Sequence, residues 1–186
     1  RQIWRTCVEM DSVIAEVEWI PSARNPADGP SRLVDPTDWW TTDKVFHEID
    51  QYFGGMTIDR MADGTNARLR RFNSRHWCRD CEEVNCFSVS WKGEKNYVCP
   101  PIGQIHRVLT HIEQTRAEFT VMVVPEWPAQ PWWPQLIDMA SVWLPIPLGA
   151  KAFAPGPSGC VEPWRHPAAR WWAVLVSATK KTQSNA

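Results

Sequence analysis

The feature that most constrains the fold is an apolar run, EFTVMVVP, at residues 118–125. Its apolar residues are nearly continuous, which is typical of a strand covered on both faces. GQIHRVLTHIEQTRA before it has helical periodicity, and QPWWPQLIDMASVWLP after it is predicted as another helix. A buried strand between helices predicts an α/β fold, with a mostly parallel sheet and helices on both faces.

The preceding residues extend this pattern. TTDKVFHEIDQYFGG predicts a helix that ends near Gly54, and MTID and NYVC predict short strands. The expected inward face of that helix comprises Val45, Phe46, Ile49, Tyr52 and Phe53. In parallel sheets, ligands bind at the carboxyl ends of the strands. Those ends carry Asp59, the pair Pro100-Pro101 and Glu126, so we expect one crevice lined by all of them.

Residues 148–186 are rich in proline and glycine. No regular structure is expected there before about residue 168, and ARWWAVLVS is predicted to form a short helix or a strand. The predicted organisation is therefore an N-terminal segment at 1–34, an α/β domain at 35–147 and a partly disordered tail at 148–186. The chain opens on Arg1 within a predicted helix, so we expect it to be a piece of a longer polypeptide.

Composition excludes several classes of protein. With 44% hydrophobic and 22% charged residues the chain is predicted to be globular, and its net charge of −1 provides no global attraction to nucleic acid. No apolar run approaches the roughly 20 residues of a membrane-spanning helix. Nothing indicates secretion, so we expect an intracellular protein of the cytoplasm or nucleus.

Three of the six cysteines crowd into HWCRDCEEVNCF. Cys78 and Cys81 have the spacing of a zinc hairpin, with Cys86 and His76 close by, but the second hairpin of a four-ligand site is missing. Free thiols are therefore the expected state. A zinc-stabilised interaction module stays open as an alternative.

A basic stretch, RLRRFNSRHW, lies between the two short predicted strands. Such runs are usually solvated loops, but aromatic rings between arginines also suit a nucleic-acid strand, because rings stack on bases and arginines contact phosphates. The candidate nucleic-acid-binding residues are Arg68, Arg70, Arg71, Phe72, Arg75 and Trp77.

VEWIPSARNPADGPSR resembles the end of a retroelement ribonuclease H domain. In that family a strand ending in Ile-Pro leads into Asn-x-x-Ala-Asp and Ser-Arg, and the Asp is the last of four carboxylates that hold two metal ions. The resemblance implies that Asp28 is this metal ligand in an incomplete site. It also implies that Mg²⁺ binds only to a complete domain, and that reverse transcriptase and ribonuclease H segments lie upstream.

The segment from Asp38 to Pro147 resembles the one that follows ribonuclease H in DIRS-type retrotransposons, which in turn resembles phage-type adenine-N6 DNA methyltransferases. IDRMADGTNA, CFSVSWKGEKNYVCPPIGQI and VMVVPEWPAQPWWPQL carry this likeness. It implies a Rossmann-like fold and places Asp59 and Asn66 where S-adenosylmethionine is bound. DNA or an RNA–DNA hybrid is the implied partner of the parent protein.

The catalytic motif of that family, Asn/Asp-Pro-Pro-Tyr, is altered here to Cys99-Pro100-Pro101-Ile102. In the family the first residue accepts a hydrogen bond from the adenine amine, and the tyrosine stacks on the flipped base. A thiol is a weak acceptor and isoleucine has no ring. We therefore expect a methyltransferase-like domain without catalysis, with an active enzyme using a divergent motif as the alternative.

Overall fold

The computed structural model describes residues 39–147, 152–155 and 170–178. The segment that resembles the end of a ribonuclease H domain, including Asp28, lies outside these residues. In chain order the elements are β1 (Trp39–Thr41), α1 (Asp43–Phe53), β2 (Ile58–Asp59), β3 (Asn73–Ser74), β4 (Glu83–Val84), β5 (Lys95–Val98), α2 (Ile105–Thr115), β6 (Phe119–Pro125), α3 (Trp133–Met139), β7 (Ala140–Ile146), β8 (Phe153–Pro155) and β9 (Trp171–Val176). Short 3-10 helices occupy Cys86–Ser88 and Ile102–Gln104.

The central sheet has five strands in the order β2-β5-β6-β9-β7. Strands β2, β5 and β6 are parallel neighbours, whereas β9 runs antiparallel to both β6 and β7. Four strands therefore point one way and β9 points the other. The predicted α/β fold is confirmed, the sheet is mixed, and the arrangement is consistent with a methyltransferase-like fold.

The two faces of the sheet carry separate cores. One core contains the buried α1 residues Val45, Phe46, Ile49 and Phe53. The other includes residues of α2 and α3, so helices on both faces are confirmed. Full burial of each large aliphatic side chain contributes roughly 1.5–3 kcal/mol, so these faces hold the helices in place.

Helix α1 shows where periodicity succeeds and where it fails. It ends at Gly54, whose φ of 82° lies in the left-handed region that glycine adopts without steric strain. The prediction that Tyr52 faces inward was wrong, because this side chain is 57% exposed. It lies at the margin of the apolar stripe, where its hydroxyl-bearing ring is solvated while Phe53 is buried beside it.

The prediction of one helix over QPWWPQLIDMASVWLP was also wrong in its second half. Helix α3 ends at Met139, and Ala140–Ile146 forms β7 at the edge of the sheet. The extended conformation is stabilised by pairing with β9, about thirty residues further along the chain. Pro145 is compatible with this position because an edge strand tolerates a missing backbone donor.

After residue 147, the described ranges 152–155 and 170–178 each contribute one strand. ARWWAVLVS contains β9, which pairs with β6 on one side and β7 on the other. Alternation along β9 places Trp171 and Ala173 in one core and Val174 and Val176 in the other. The prediction of no regular structure before residue 168 was wrong at β8, which pairs antiparallel with β1.

The helices within residues 39–147, 152–155 and 170–178 lack the length and apolar character that a membrane span requires.

Candidate active-site crevice

The parallel strands bring the predicted site residues to one edge of the sheet. Asp59 is the last residue of β2, Cys99 directly follows β5, and Glu126 directly follows β6. These three strands are parallel neighbours in the sheet. Their carboxyl ends therefore lie side by side, as the sequence predicts.

Asp59 lies at the β2 end of this edge and is only 3% exposed. Its Oδ1 accepts a hydrogen bond from the Met61 backbone N–H at 3.3 Å, and its Oδ2 accepts one from the Arg68 backbone N–H at 3.1 Å. Burial raises the pKa of this carboxyl to about 7, although the two backbone hydrogen bonds oppose the rise. Asp59 is thus a buried carboxyl whose charge changes near neutral pH.

Asn66 is buried in the loop that returns to the end of β2. Its Oδ1 accepts a hydrogen bond from the Asp63 backbone N–H at 2.7 Å, and its backbone carbonyl accepts one from the Arg68 Nε at 2.9 Å. Asn66 and Asp59 therefore both contact Arg68, in the compact loop between residues 59 and 68. Each side chain already stabilises the loop that carries it.

The lip after β5 is built from Cys99, Pro100, Pro101 and Ile102. Cys99 is buried, and its thiol donates to the Trp39 carbonyl oxygen at 3.6 Å. Pro101 adopts φ −52° and ψ 143° and starts the 3-10 helix that leads into α2. Ile102 is half-buried and packs against both cores. The rigid lip is present, and the side chains at both ends of it pack against the protein.

An aromatic cluster that sequence reasoning did not single out lies against this lip. The Trp39 ring packs edge-on at 4.3 Å from Trp171 and 4.8 Å from Phe153, measured between centroids. The adjacent Thr41 hydroxyl is 2.7 Å from the Tyr97 hydroxyl. Two of the three WW pairs in the sequence, Trp39-Trp40 and Trp171-Trp172, occur in strands, and alternation in a strand would have predicted one buried indole from each.

Glu126 directly follows the last residue of β6 and contacts the beginning of β9. Its backbone N–H donates to the Arg170 carbonyl at 2.8 Å, and one carboxylate oxygen accepts the Trp172 indole N–H at 2.9 Å. A cavity of about 270 Å³ lies next to these groups and is lined by Pro145, Ile146, Arg170, Trp171 and Trp172. Glu126 therefore stabilises the start of β9 through its main-chain and side-chain hydrogen bonds.

Arg60 is a buried arginine that the sequence pattern did not identify. The Arg60 Nε donates to Asn96 Oδ1 at 2.7 Å, and its Nη1 donates to Asn73 Oδ1 at 2.8 Å. The guanidinium lies 5.5 Å from the centroid of the Trp91 ring, and burial lowers the pKa of Arg60. These contacts connect the end of β2 to β3 and β5.

The structure divides the predicted nucleic-acid-binding residues into two groups. Arg68 forms an ion pair with Asp43, Arg71 forms ion pairs with glutamates, and Phe72 is buried, so its ring offers no face to a base. In contrast, the side chains of the remaining three residues are exposed: Arg70, Arg75 and Trp77.

The cysteines Cys78, Cys81, Cys86 and Cys99 form no disulfide. Burial raises the pKa of Cys86 to about 12, so this thiol stays protonated at neutral pH. Within the described ranges, His, Cys, Asp and Glu side chains form no group of three or more that could hold a metal ion.

Comparison with known families identifies the family of the chain. A family model described as DNA N-6-adenine-methyltransferase (Dam) matches residues 31–158, which is more than half of the chain. A search of curated proteins returns no match. The matched range includes the loop of Asp59 and Asn66 and the lip of Cys99 and Ile102. The chain belongs to the DNA N-6-adenine-methyltransferase (Dam) family.

Proposed function

We propose that this chain is a catalytically degenerate methyltransferase domain that handles nucleic acid within a retrotransposon polyprotein. The state of the lip supports this proposal. Cys99 directs its thiol to the Trp39 carbonyl, and Ile102 packs into the two cores. Neither side chain supplies the hydrogen-bond acceptor or the aromatic ring that the catalytic motif of the similar family uses.

The chemical argument concerns the amine of the target adenine. In the resembling motif an amide or carboxylate oxygen accepts a hydrogen bond from that amine, which increases electron density on the attacking nitrogen. At position 99 the thiol acts as a donor in the structure and is a weak acceptor in general. Loss of one such partner lowers a rate by about a hundred- to a thousandfold. Loss of the stacking ring at Ile102 removes a further ~1–3 kcal/mol.

The family uses S-adenosylmethionine, and the described residues fit this cofactor poorly. The Asp59 carboxylate is almost fully buried, and both of its oxygens accept hydrogen bonds from its own loop. The Asn66 amide oxygen likewise accepts from Asp63. These oxygens keep acceptor capacity, but with Asp59 3% exposed and Asn66 7% exposed a cofactor reaches them only if the loop moves, so the expected affinity is weak.

The decisive experiment measures transfer of a tritiated methyl group to adenine in single- and double-stranded DNA. The unmodified chain is compared with the double variant Cys99→Asn, Ile102→Tyr. The matched control is Cys99→Ser, Ile102→Tyr, which supplies the ring without the amide. We expect no transfer by the unmodified chain or the control; transfer by the double variant alone would locate the loss at these positions. Clear activity of the unmodified chain would overturn the proposal in favour of an active enzyme with a divergent motif.

The retrotransposon context rests on the ribonuclease H resemblance of residues 1–34. Asp28 is proposed as the last carboxylate of a metal site whose other members lie upstream, with Mg²⁺ bound only when all are present. Two metals must contact both the attacking and the leaving oxygen, so one carboxylate is insufficient. The parent reading frame should therefore encode three further carboxylates, and their absence would contradict this part of the proposal.

A further inference from the structure

Two of the described cysteines differ from the others in their exposure. Cys78 and Cys81 are half-buried in the loop between β3 and β4, whereas Cys86 and Cys99 are each 5% exposed and belong to the cores. None of these four cysteines forms a disulfide. A buried thiol behaves as a small apolar group, whereas thiol exchange needs a sulfur that a reagent can reach. The accessible thiols in the described part of the chain therefore belong to Cys78 and Cys81.

The backbone places these two cysteines at the two ends of one tight turn. The Cys81 N–H donates to the Cys78 carbonyl at 3.4 Å, which is the hydrogen bond between the first and fourth residues of a β-turn. Asp80, at the third position, has a φ of 68°, whereas the φ of Arg79 at the second position is not positive. A positive φ at the third position alone is the pattern of a type II turn. The turn therefore comprises Cys78, Arg79, Asp80 and Cys81.

The dimensions of a β-turn suit a disulfide between its ends. The first and fourth Cα atoms of such a turn lie within about 7 Å of each other, and a disulfide joins Cα atoms that are roughly 4.4–6.8 Å apart. Because the hydrogen-bonded turn is already formed, little further backbone entropy is lost when the two sulfurs join.

Contacts at the base of the loop keep the turn in place. The Glu82 backbone N–H donates to the Phe72 carbonyl at 2.9 Å, and the Asn85 N–H donates to the Ser74 carbonyl at 2.7 Å. Strands β3 and β4 pair with each other on either side of the loop, and Phe72 is buried beneath it. The folded chain therefore presents the two thiols at the ends of a preformed turn.

We propose that Cys78 and Cys81 form a reversible disulfide by exchange with a low-molecular-weight disulfide, which makes this turn a redox modification site. The turn lies in the loop between β3 and β4, and the exchange uses neither S-adenosylmethionine nor the lip at Cys99. Its outcome is therefore independent of whether the chain transfers methyl groups.

The exchange has two steps. One protein thiolate attacks a sulfur of the small disulfide, whose S–S bond breaks, so a mixed disulfide forms and one small thiol leaves. The second protein thiol then attacks the mixed disulfide, and the bond between Cys78 and Cys81 forms as the second small thiol leaves. Two protein thiols are oxidised, one small disulfide is reduced to two thiols, and those thiols carry the two protons. An excess of the small thiol reverses both steps.

Peptide mapping of the full chain tests this bond directly. The chain is equilibrated with oxidised and reduced glutathione in the presence of a metal chelator, its remaining thiols are alkylated, and it is digested with trypsin. Cleavage after Arg79 separates Cys78 from Cys81, so peptides 76–79 and 80–92 stay joined only through a disulfide. We expect this joined pair, and fragmentation of it should locate the bond at Cys81. The pair should disappear in Cys81→Ser and persist in the matched control Cys86→Ala, which removes the other cysteine of the second peptide.

Substitutions at Asp80 test whether the turn positions the thiols. Asp80→Val places a β-branched residue at a positive φ, so the ratio of disulfide to dithiol in the same buffer should fall by about fivefold or more. Asp80→Gly adopts this conformation without strain and should keep or raise the ratio.

Three results would overturn the proposal. The first is a parent chain that stays reduced, or stops at the mixed disulfide, in excess oxidised glutathione. The second is a bond that joins Cys78 to Cys86 instead of Cys81. The third is an equal ratio of disulfide to dithiol in Asp80→Val and Asp80→Gly, because the turn would then not determine the reaction.

Discussion

The buried carboxyl of Asp59 should make the stability of the domain depend on pH. Burial raises its pKa from 3.8 to about 7 in the folded protein. The folded state then holds the proton longer than the unfolded chain does. The free energy of unfolding should therefore fall as pH rises from about 4 to about 7, and it should level off above that. The full effect corresponds to about 4 kcal/mol, of which about 3 kcal/mol falls between pH 5 and 8.

Asp59→Asn isolates this contribution because an amide stays neutral throughout the range. Its single oxygen replaces two acceptors, so either the Met61 or the Arg68 backbone N–H loses its partner. That loss amounts to about 1–3 kcal/mol and does not depend on pH. The variant should thus be less stable than the parent at pH 5, and the difference should close or reverse by pH 8.

Urea unfolding followed by tryptophan fluorescence at several pH values between 5 and 8 measures the difference directly. Groups that titrate in both proteins cancel in this comparison. Asp63→Asn is the matched control for removal of a carboxylate from the same loop, since Asp63 Oδ1 accepts the Thr65 backbone N–H at 2.7 Å. A difference between Asp59→Asn and the parent that stays constant across the range would refute the argument.

Two further predictions concern the polar contacts around the crevice. Asn96→Ala should lower the free energy of urea unfolding by about 3 kcal/mol, because it removes an acceptor from buried Arg60 and a donor to the Trp91 and Phe119 carbonyls; a loss below about 1 kcal/mol would contradict this. Arg71→Met should change stability by less than about 1 kcal/mol at low salt, since its ion pairs are exposed. A larger effect, or one insensitive to salt, would show that the Arg71 pairs are not simple surface contacts.

Local periodicity was sufficient to predict α1, α2 and β6. Each has a long, regular apolar pattern; α1 buries its predicted face except for Tyr52, and β6 is buried on both faces as predicted. The common edge of Asp59, Cys99 and Glu126 was also predictable, since parallel strands place their carboxyl ends together.

Contacts between distant parts of the chain were not predictable in this way. β7 is extended because β9 pairs with it, and the local sequence ASVWLPI does not indicate which strand is its partner. The basic run shows the same limit. Arg68 is compensated by Asp43 and Arg71 by Glu94, and both acids lie more than twenty residues away in the sequence. A local pattern therefore identified a basic loop without showing which of its charges were available.

If the chain is catalytically degenerate, as proposed, packing accounts for the residues at positions 99 and 102, and the two prolines between them account for the rigidity of the lip. An acceptor for an adenine amine must face the crevice and stay available, which exposes a polar group at the end of β5. Cys99 instead faces the core and donates to Trp39, and Ile102 packs against both sides of the sheet. A small thiol behaves as a core hydrophobe, whereas a buried amide without full hydrogen bonding would cost about 1–3 kcal/mol. On the proposal that an acceptor is not required, packing favours the residues found here. Pro100 and Pro101 continue to fix the direction of the chain, because their constraint on the backbone does not depend on the chemistry.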